Sequence, residues 1–162
     1  LTSLSKKNMV SIPMLDSVLV SNEYQIKEVI RKVMSYPSQK IGIFGLAFKE
    51  NTDDLRESPI LELAEFLIGK GKKLSIYDTM ISFEKMVGEN LNFAVEAVPH
   101  LSDLLVNDPE TIILQSELVI IARDFKEVEW DKVPWKKEHV VIDLVGSSNL
   151  DNIPAKFEGL YW

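Results

Sequence analysis

The run Lys40-Ile41-Gly42-Ile43-Phe44 restricts the fold more than any other part of the chain. A short apolar run without polar alternation reads as a strand buried on both faces, and such strands belong to parallel sheets covered by helices. The next regular segment is a helix. Ser58 suits its N-cap and Pro59 its first position, Ile60, Leu61, Leu63, Ala64, Phe66, Leu67 and Ile68 give it a broad apolar face, and Gly69 and Gly71 end it. Leu74-Ser75-Ile76-Tyr77-Asp78 is a second strand, and Leu118–Ala122 and Val140–Leu144 are two more. Between them, Phe83–Val87 reads as a short helix, Phe93–Val98 as a short strand, and Leu101–Leu105 and Pro109–Gln115 as helical turns. Phe157-Glu158-Gly159-Leu160-Tyr161-Trp162 reads as an edge strand. Strands alternating with helices predict an α/β fold with a doubly wound, mainly parallel sheet, the first strand covering Ile41–Leu46.

A long helix precedes this body. Residues 1–13 carry no strong period and read as a frayed terminus or the trailing end of a longer chain. From Asp16 to about Ser35, Asn22, Ile26, Val29, Ile30 and Val33 share one stripe opposite Glu23, Lys27, Glu28, Arg31 and Lys32. Tyr36-Pro37-Ser38 stops it. The expected organisation is residues 1–38 as a helical segment and 39–162 as the α/β domain. The stripe must be buried on that domain, on a partner, or on both.

A net charge of −7, from 25 acidic against 18 basic residues, disfavours non-specific binding to nucleic acid or an anionic membrane surface. The densest basic segment, Lys70-Gly71-Lys72-Lys73, sits at a helix end. An anionic ligand must therefore be held by a local site. The absence of cysteine excludes disulfides, thiolate metal sites and a cysteine nucleophile within this chain. His100 and His139 lie far apart with no ligand cluster, which argues against zinc. No apolar run reaches the ~18 residues of a membrane span, and no signal peptide opens the sequence, so the cytoplasm is the expected location.

The connection between the first strand and its helix carries the functional reading. Two or three residues suffice for a plain turn, about two to six at most. Here Gly45-Leu46-Ala47-Phe48-Lys49-Glu50-Asn51-Thr52-Asp53-Asp54-Leu55-Arg56-Glu57-Ser58-Pro59 intervenes, polar and doubly charged, at the carboxyl end of a strand. Open α/β sheets bind ligands there. Lys49 and Arg56, with loop amides and the following helix N-terminus, suit a phosphate; Asp53 and Asp54 suit orientation of the arginine or a sugar hydroxyl. A solvated loop with internal ion pairs is the alternative. Gly42 and Gly45 do not make the G-x-G-x-x-G dinucleotide fingerprint, and Phe48 shields the backbone a pyrophosphate would approach. The topology is thus Rossmann-like without the dinucleotide fingerprint. Asp78, at the end of the second strand, would hold a ribose in a dinucleotide domain; without the glycines, capping the following turn suits it better. Asn22 on an apolar stripe needs a partner and suits a backbone bond. Asp143 suits nearby loop amides, His100 a local turn, and Trp130, Trp135 and Trp162 packing or an interface.

The run G-L-A-F-K-x-N-T-D-D-L-R-E-S-P resembles the signature of the C-terminal domain of the UDP-glucose/GDP-mannose dehydrogenase family. Ser21-Asn22-x-x-Gln25 is similar to the start of that family's central helix, and Ile76-Tyr77-Asp78 to its second strand. The resemblance spans about Pro13 to Trp162. Pro99-His100-Leu101-Ser102-Asp103-Leu104-Leu105-Val106, Val141-Ile142-Asp143-Leu144-Val145-Gly146 and Gly159-Leu160-Tyr161-Trp162 are similar to the GDP-mannose branch. Leu144 and Val145 stand where UDP-glucose enzymes usually carry an arginine.

The resemblance implies an NAD-dependent nucleotide-sugar 6-dehydrogenase, oxidising GDP-mannose to GDP-mannuronate for exopolysaccharide precursors. UDP-glucose or a UDP-N-acetylhexosamine is the alternative substrate. In the family, the residues matching Phe48 and Lys49 contact the nucleotide sugar, and the one matching Arg56 lies near the NAD phosphates. NAD belongs mainly to an N-terminal Rossmann domain of the same polypeptide, and the helix over 17–35 forms a homodimer. With neither cysteine nor glycine fingerprint, this chain resembles only the C-terminal part, and the fragment is expected to be inactive alone. Outside the family, a receiver-like regulatory module would use acids at strand ends such as Asp78 and Asp143, and a pure assembly domain would use only the leading helix.

Overall fold

The computed structural model describes residues 13–47, 55–56, 58–81, 101–147, 150 and 153–160. The chain divides between Tyr36 and Pro37 into two compact units. In the first, helix α1 spans Pro13–Met34, beginning earlier than the apolar stripe because proline is tolerated in a first helical turn. Ile26, Val29 and Val33 are its buried positions, and Ile30 is half-buried. Asn22 departs from the sequence reading: it is exposed, so no buried amide needs a partner. The buried stripe begins one turn later, at Ile26.

The second unit is built on a five-stranded sheet in the order β2-β1-β3-β4-β5, every pairing parallel. Strand β1 is Lys40–Phe44, β2 Lys73–Tyr77, β3 Leu118–Ile121, β4 Val140–Asp143 and β5 Lys156–Gly159. Strand β1 stops at Phe44, short of the expected Leu46, because Gly45 turns out of the ladder with φ +92°. Helix α2 is Pro59–Gly69, with Ser58 as N-cap and Pro59 in the first turn. Helices α3, Leu101–Leu104, and α4, Pro109–Gln115, precede β3. Asp108 caps α4 by accepting the amides of Glu110 and Thr111 at 3.3 and 2.9 Å. Leu105 adds a single parallel bridge to Ile76. The expected helix at Phe83–Val87 and strand at Phe93–Val98 lie outside the described residues.

Strand alternation gives each face its own core. Phe44, Tyr77, Val119, Ile121 and Val141 pack with Ile112 and Ile113 of α4 and with Phe125, Trp130 and Leu150. Their aromatic rings meet tilted or edge-on, Phe44 lying 4.9 Å from Trp130 and 5.4 Å from Tyr77 between centroids. Trp135 packs against this cluster and donates its indole N–H to the Trp130 carbonyl at 2.8 Å, so these two tryptophans are packing residues. Ile41, Ile43, Leu74, Ile76, Leu118, Ile120, Val140 and Ile142 occupy the alternate positions, all buried. Gly42 admits α4: a Cβ there would stand 2.6 Å from the Ser116 hydroxyl and 3.0 Å from Ile112.

The order places the site. From β1 the chain moves to β2 on one side, then returns past β1 to β3 on the other. Sheets of this kind hold ligands outside the carboxyl ends of the strands at such a reversal, here β1 and β3.

Candidate functional site

The backbone leaving β1 is fastened to both neighbouring strands. The Gly45 amide donates to the Tyr77 carbonyl at 2.9 Å, and the Ala122 amide donates to the Phe44 carbonyl at 2.8 Å. The next two amides, of Leu46 and Ala47, both donate to Asp78 Oδ2, at 2.8 and 3.1 Å. Ser58 closes the far end of the connection. Its hydroxyl donates to the Leu46 carbonyl at 2.7 Å while accepting the Leu61 amide at 3.4 Å as helix cap. The polar connection therefore starts and finishes at one neck, Leu46 beside Ser58.

Asp78 is the centre of this fastening. Its Oδ1 accepts the Met80 amide at 2.9 Å and Arg123 Nη2 at 2.9 Å. The turn-capping expectation holds, but the same carboxylate also grips a segment more than thirty positions upstream, 32 for Leu46 and 31 for Ala47. Arg123 extends from the end of β3 with its guanidinium 4.4 Å from the Phe125 ring centroid. Its side chain is 12% exposed against 0% for Asp78. Its other terminal nitrogen, Nη1, is buried without an acceptor among the described residues. Gly45 makes room: a Cβ there would stand 2.7 Å from Arg123 Cβ, and the backbone is left-handed. Beside them, burial foremost and then the carboxylates of Glu127, Asp108 and Asp78 push the Tyr77 phenol above its ordinary pKa, which keeps it neutral.

Asp143 is a local device. It accepts the amides of Val145 and Gly146 on Oδ1 at 2.9 and 3.2 Å and of Ser147 on Oδ2 at 2.8 Å. Four protein donors on Asp78 and three on Asp143 argue against either as the phosphoacceptor of a receiver-like module. His139 is also structural. Its Nδ1 accepts the Lys136 amide at 3.1 Å, and burial, helped by Lys136, lowers its pKa.

Of the residues singled out for ligand contact, Arg56 lies exposed in the turn before α2. Phe48, Lys49, Asp53 and Asp54 lie outside the described residues, as do His100 and Trp162. Arg123 was not legible as a site residue. Its sequence signal is a cation immediately after the apolar run Leu118–Ala122, and its weight comes from β3 lying beside β1. The neck does not fit a dinucleotide held by this sheet: the acid that would take the ribose already has four protein donors. Among the described residues, no group of three or more His, Asp or Glu could hold a metal ion, and no helix is long and apolar enough to cross a membrane.

Residues 42–149 match the family model described as UDP-glucose/GDP-mannose dehydrogenase family, UDP binding domain. GDP-mannose 6-dehydrogenase of Pseudomonas savastanoi pv. phaseolicola is 40% identical over 157 residues, covering 94% of this chain and 35% of that protein. Among solved structures, a ternary complex of GDP-mannose dehydrogenase from Pseudomonas aeruginosa matches 96% of this chain and 36% of its own, with TM-score 0.77 and 33% identity. A UDP-glucose dehydrogenase from the archaeon Pyrobaculum islandicum matches 99% of this chain and 35% of its own, with TM-score 0.70 and 26% identity. The chain thus spans about a third of the length of the relatives it matches, 35% of the first.

Proposed function

We propose a function from one premise: the chain belongs to the UDP-glucose/GDP-mannose dehydrogenase family. It is the nucleotide-sugar-binding domain of a 6-dehydrogenase, and its sugar nucleotide is GDP-mannose. The observation that carries this reading is the neck at the switch point, from which the segment bearing Phe48 and Lys49 departs. Identity to GDP-mannose 6-dehydrogenases over nearly the whole chain supports the choice of base and sugar.

In this reading Phe48 and Lys49 bind and orient the nucleotide sugar, and Arg56 faces the phosphates of NAD held by a separate N-terminal domain. The overall change is oxidation of the sugar C6 alcohol to a carboxylate with loss of two hydride equivalents, giving GDP-mannuronate for exopolysaccharide synthesis. A cysteine nucleophile must come from outside this sequence, which has none, so the fragment is inactive by itself. What this chain contributes is a lysine to bind the diphosphate in a protein whose net charge is −7. Homodimerisation through residues 17–35 belongs to the same proposal, supported by the exposure of Val18, Val20 and Tyr24 on α1.

Calorimetric titration of the chain with GDP-mannose, UDP-glucose and a UDP-N-acetylhexosamine tests the reading. GDP-mannose is expected to bind tightest, and Lys49→Ala to weaken it at least about tenfold, roughly 1.4 kcal/mol. Equal affinity in Lys49→Ala overturns the assignment of that lysine. Preference for a UDP-sugar favours the second reading, which the family description as a UDP binding domain and the Pyrobaculum likeness support.

A further inference from the structure

Asp78 does more than a turn-capping acid has to do. Capping its own turn requires only the Met80 amide. The other three donors, Leu46, Ala47 and Arg123, come from β1 and β3. Ala47 immediately precedes Phe48-Lys49, so the carboxylate fixes the backbone two peptide units, about 7 Å of chain, from Lys49. This buried carboxylate is also charge-paired, with Arg123 reaching it from the end of β3 at 2.9 Å. The arginine is itself oriented by the Phe125 ring and by the space Gly45 leaves. Residues from three adjacent strand ends thus meet on one backbone segment.

We propose that Asp78 and Arg123 are a positioning pair for nucleotide-sugar binding: together they set where the segment bearing Lys49 leaves the sheet. In a sheet that binds its own dinucleotide, the acid at this strand end faces a ribose. Here the equivalent carboxylate is turned onto protein amides and acts on the ligand through the loop stem. The proposal rests on the binding role given above to Phe48 and Lys49, and its test has two arms so that each can fail separately.

The first arm needs no ligand. Amide hydrogen exchange is followed residue by residue in the chain and in Asp78→Asn, which keeps the shape but loses the charge. Leu46 and Ala47 should exchange at least about tenfold faster in the variant, while Val119, Ile120, Val141 and Ile142 keep their protection. Unchanged exchange at Leu46 and Ala47, or an equal rise across the sheet, overturns the pinning. In the second arm GDP-mannose is titrated into the chain and into Asp78→Asn, Arg123→Met and Arg123→Lys. Asp78→Asn and Arg123→Met should weaken binding about tenfold or more. Arg123→Lys, which retains a cation for Asp78, should restore affinity to within about threefold. Full affinity in folded Asp78→Asn, or no rescue by lysine over methionine, overturns the positioning role. A wild-type chain that binds none of the sugar nucleotides overturns the binding reading and this pair's role in it, while the exchange arm still decides whether Asp78 holds Leu46 and Ala47.

Discussion

Two aspartates at strand ends of this sheet look equivalent in sequence and are not. Asp78 follows β2 and Asp143 closes β4; both are buried and both accept three backbone amides. Among the described residues, Asp143 takes its donors from the four positions after it and pairs with no cation. Asp78 takes one from its own turn, two from the exit of β1 and a fourth bond from Arg123. One carboxylate shapes a turn. The other joins the ends of β2, β1 and β3. Burial and the number of backbone amides do not distinguish them; sequence separation and charge pairing do.

Removing the charge partner should separate the two most. Arg123→Met leaves a buried carboxylate uncompensated and should cost about 3–5 kcal/mol in denaturant unfolding; a loss under about 1 kcal/mol would mean water substitutes for the guanidinium. Gly45→Ala attacks the same corner from the backbone. With φ at +92° and a Cβ 2.7 Å from Arg123 Cβ, it should cost about 2–3 kcal/mol, and wild-type stability would show that the turn relaxes freely. Asp143→Ala should cost about 1–2 kcal/mol, as lost helix caps do. Unlike Asp78→Asn, it should leave GDP-mannose affinity unchanged; a weakened affinity would erase the distinction drawn here.

The smallest expected effect belongs to His139, a third buried titratable group with a local bond. Its folded pKa is held below the ordinary 6.5, chiefly by burial, so the folded state favours the neutral ring. Its contribution is intact above about pH 6.5 and falls as pH drops through the lowered folded value. His139→Gln should flatten that acid limb of the stability profile and leave the neutral plateau in place. An unchanged acid limb would assign the loss to carboxylates.

Much of the fold was legible because it is local. The helical turn expected at Pro109–Gln115 has those same bounds in the structure. Ser58 before Pro59 fixed the start of α2. The apolar run carries β1 on to Leu46 in sequence, whereas in the structure Leu46 and Ala47 are buried but give their amides to a side chain. The periodicity of α1 placed Asn22 on a stripe whose buried part begins at Ile26. Asp78 was readable as a cap, but not as the link to Leu46 and Arg123, because that depends on β2 and β3 flanking β1. Pairing order is a tertiary fact that no local pattern encodes. Phe48 rests on the family signature alone, and Lys49 on that signature and on its charge at the carboxyl end of a strand.

The bond between Ser58 and Leu46 also bears on how such a domain can change over time. Because entry and exit of the excursion share one hydrogen-bonded gate, substitutions or insertions inside it need not propagate into the strands. A lineage can exchange that insert for another while the underlying scaffold keeps its register.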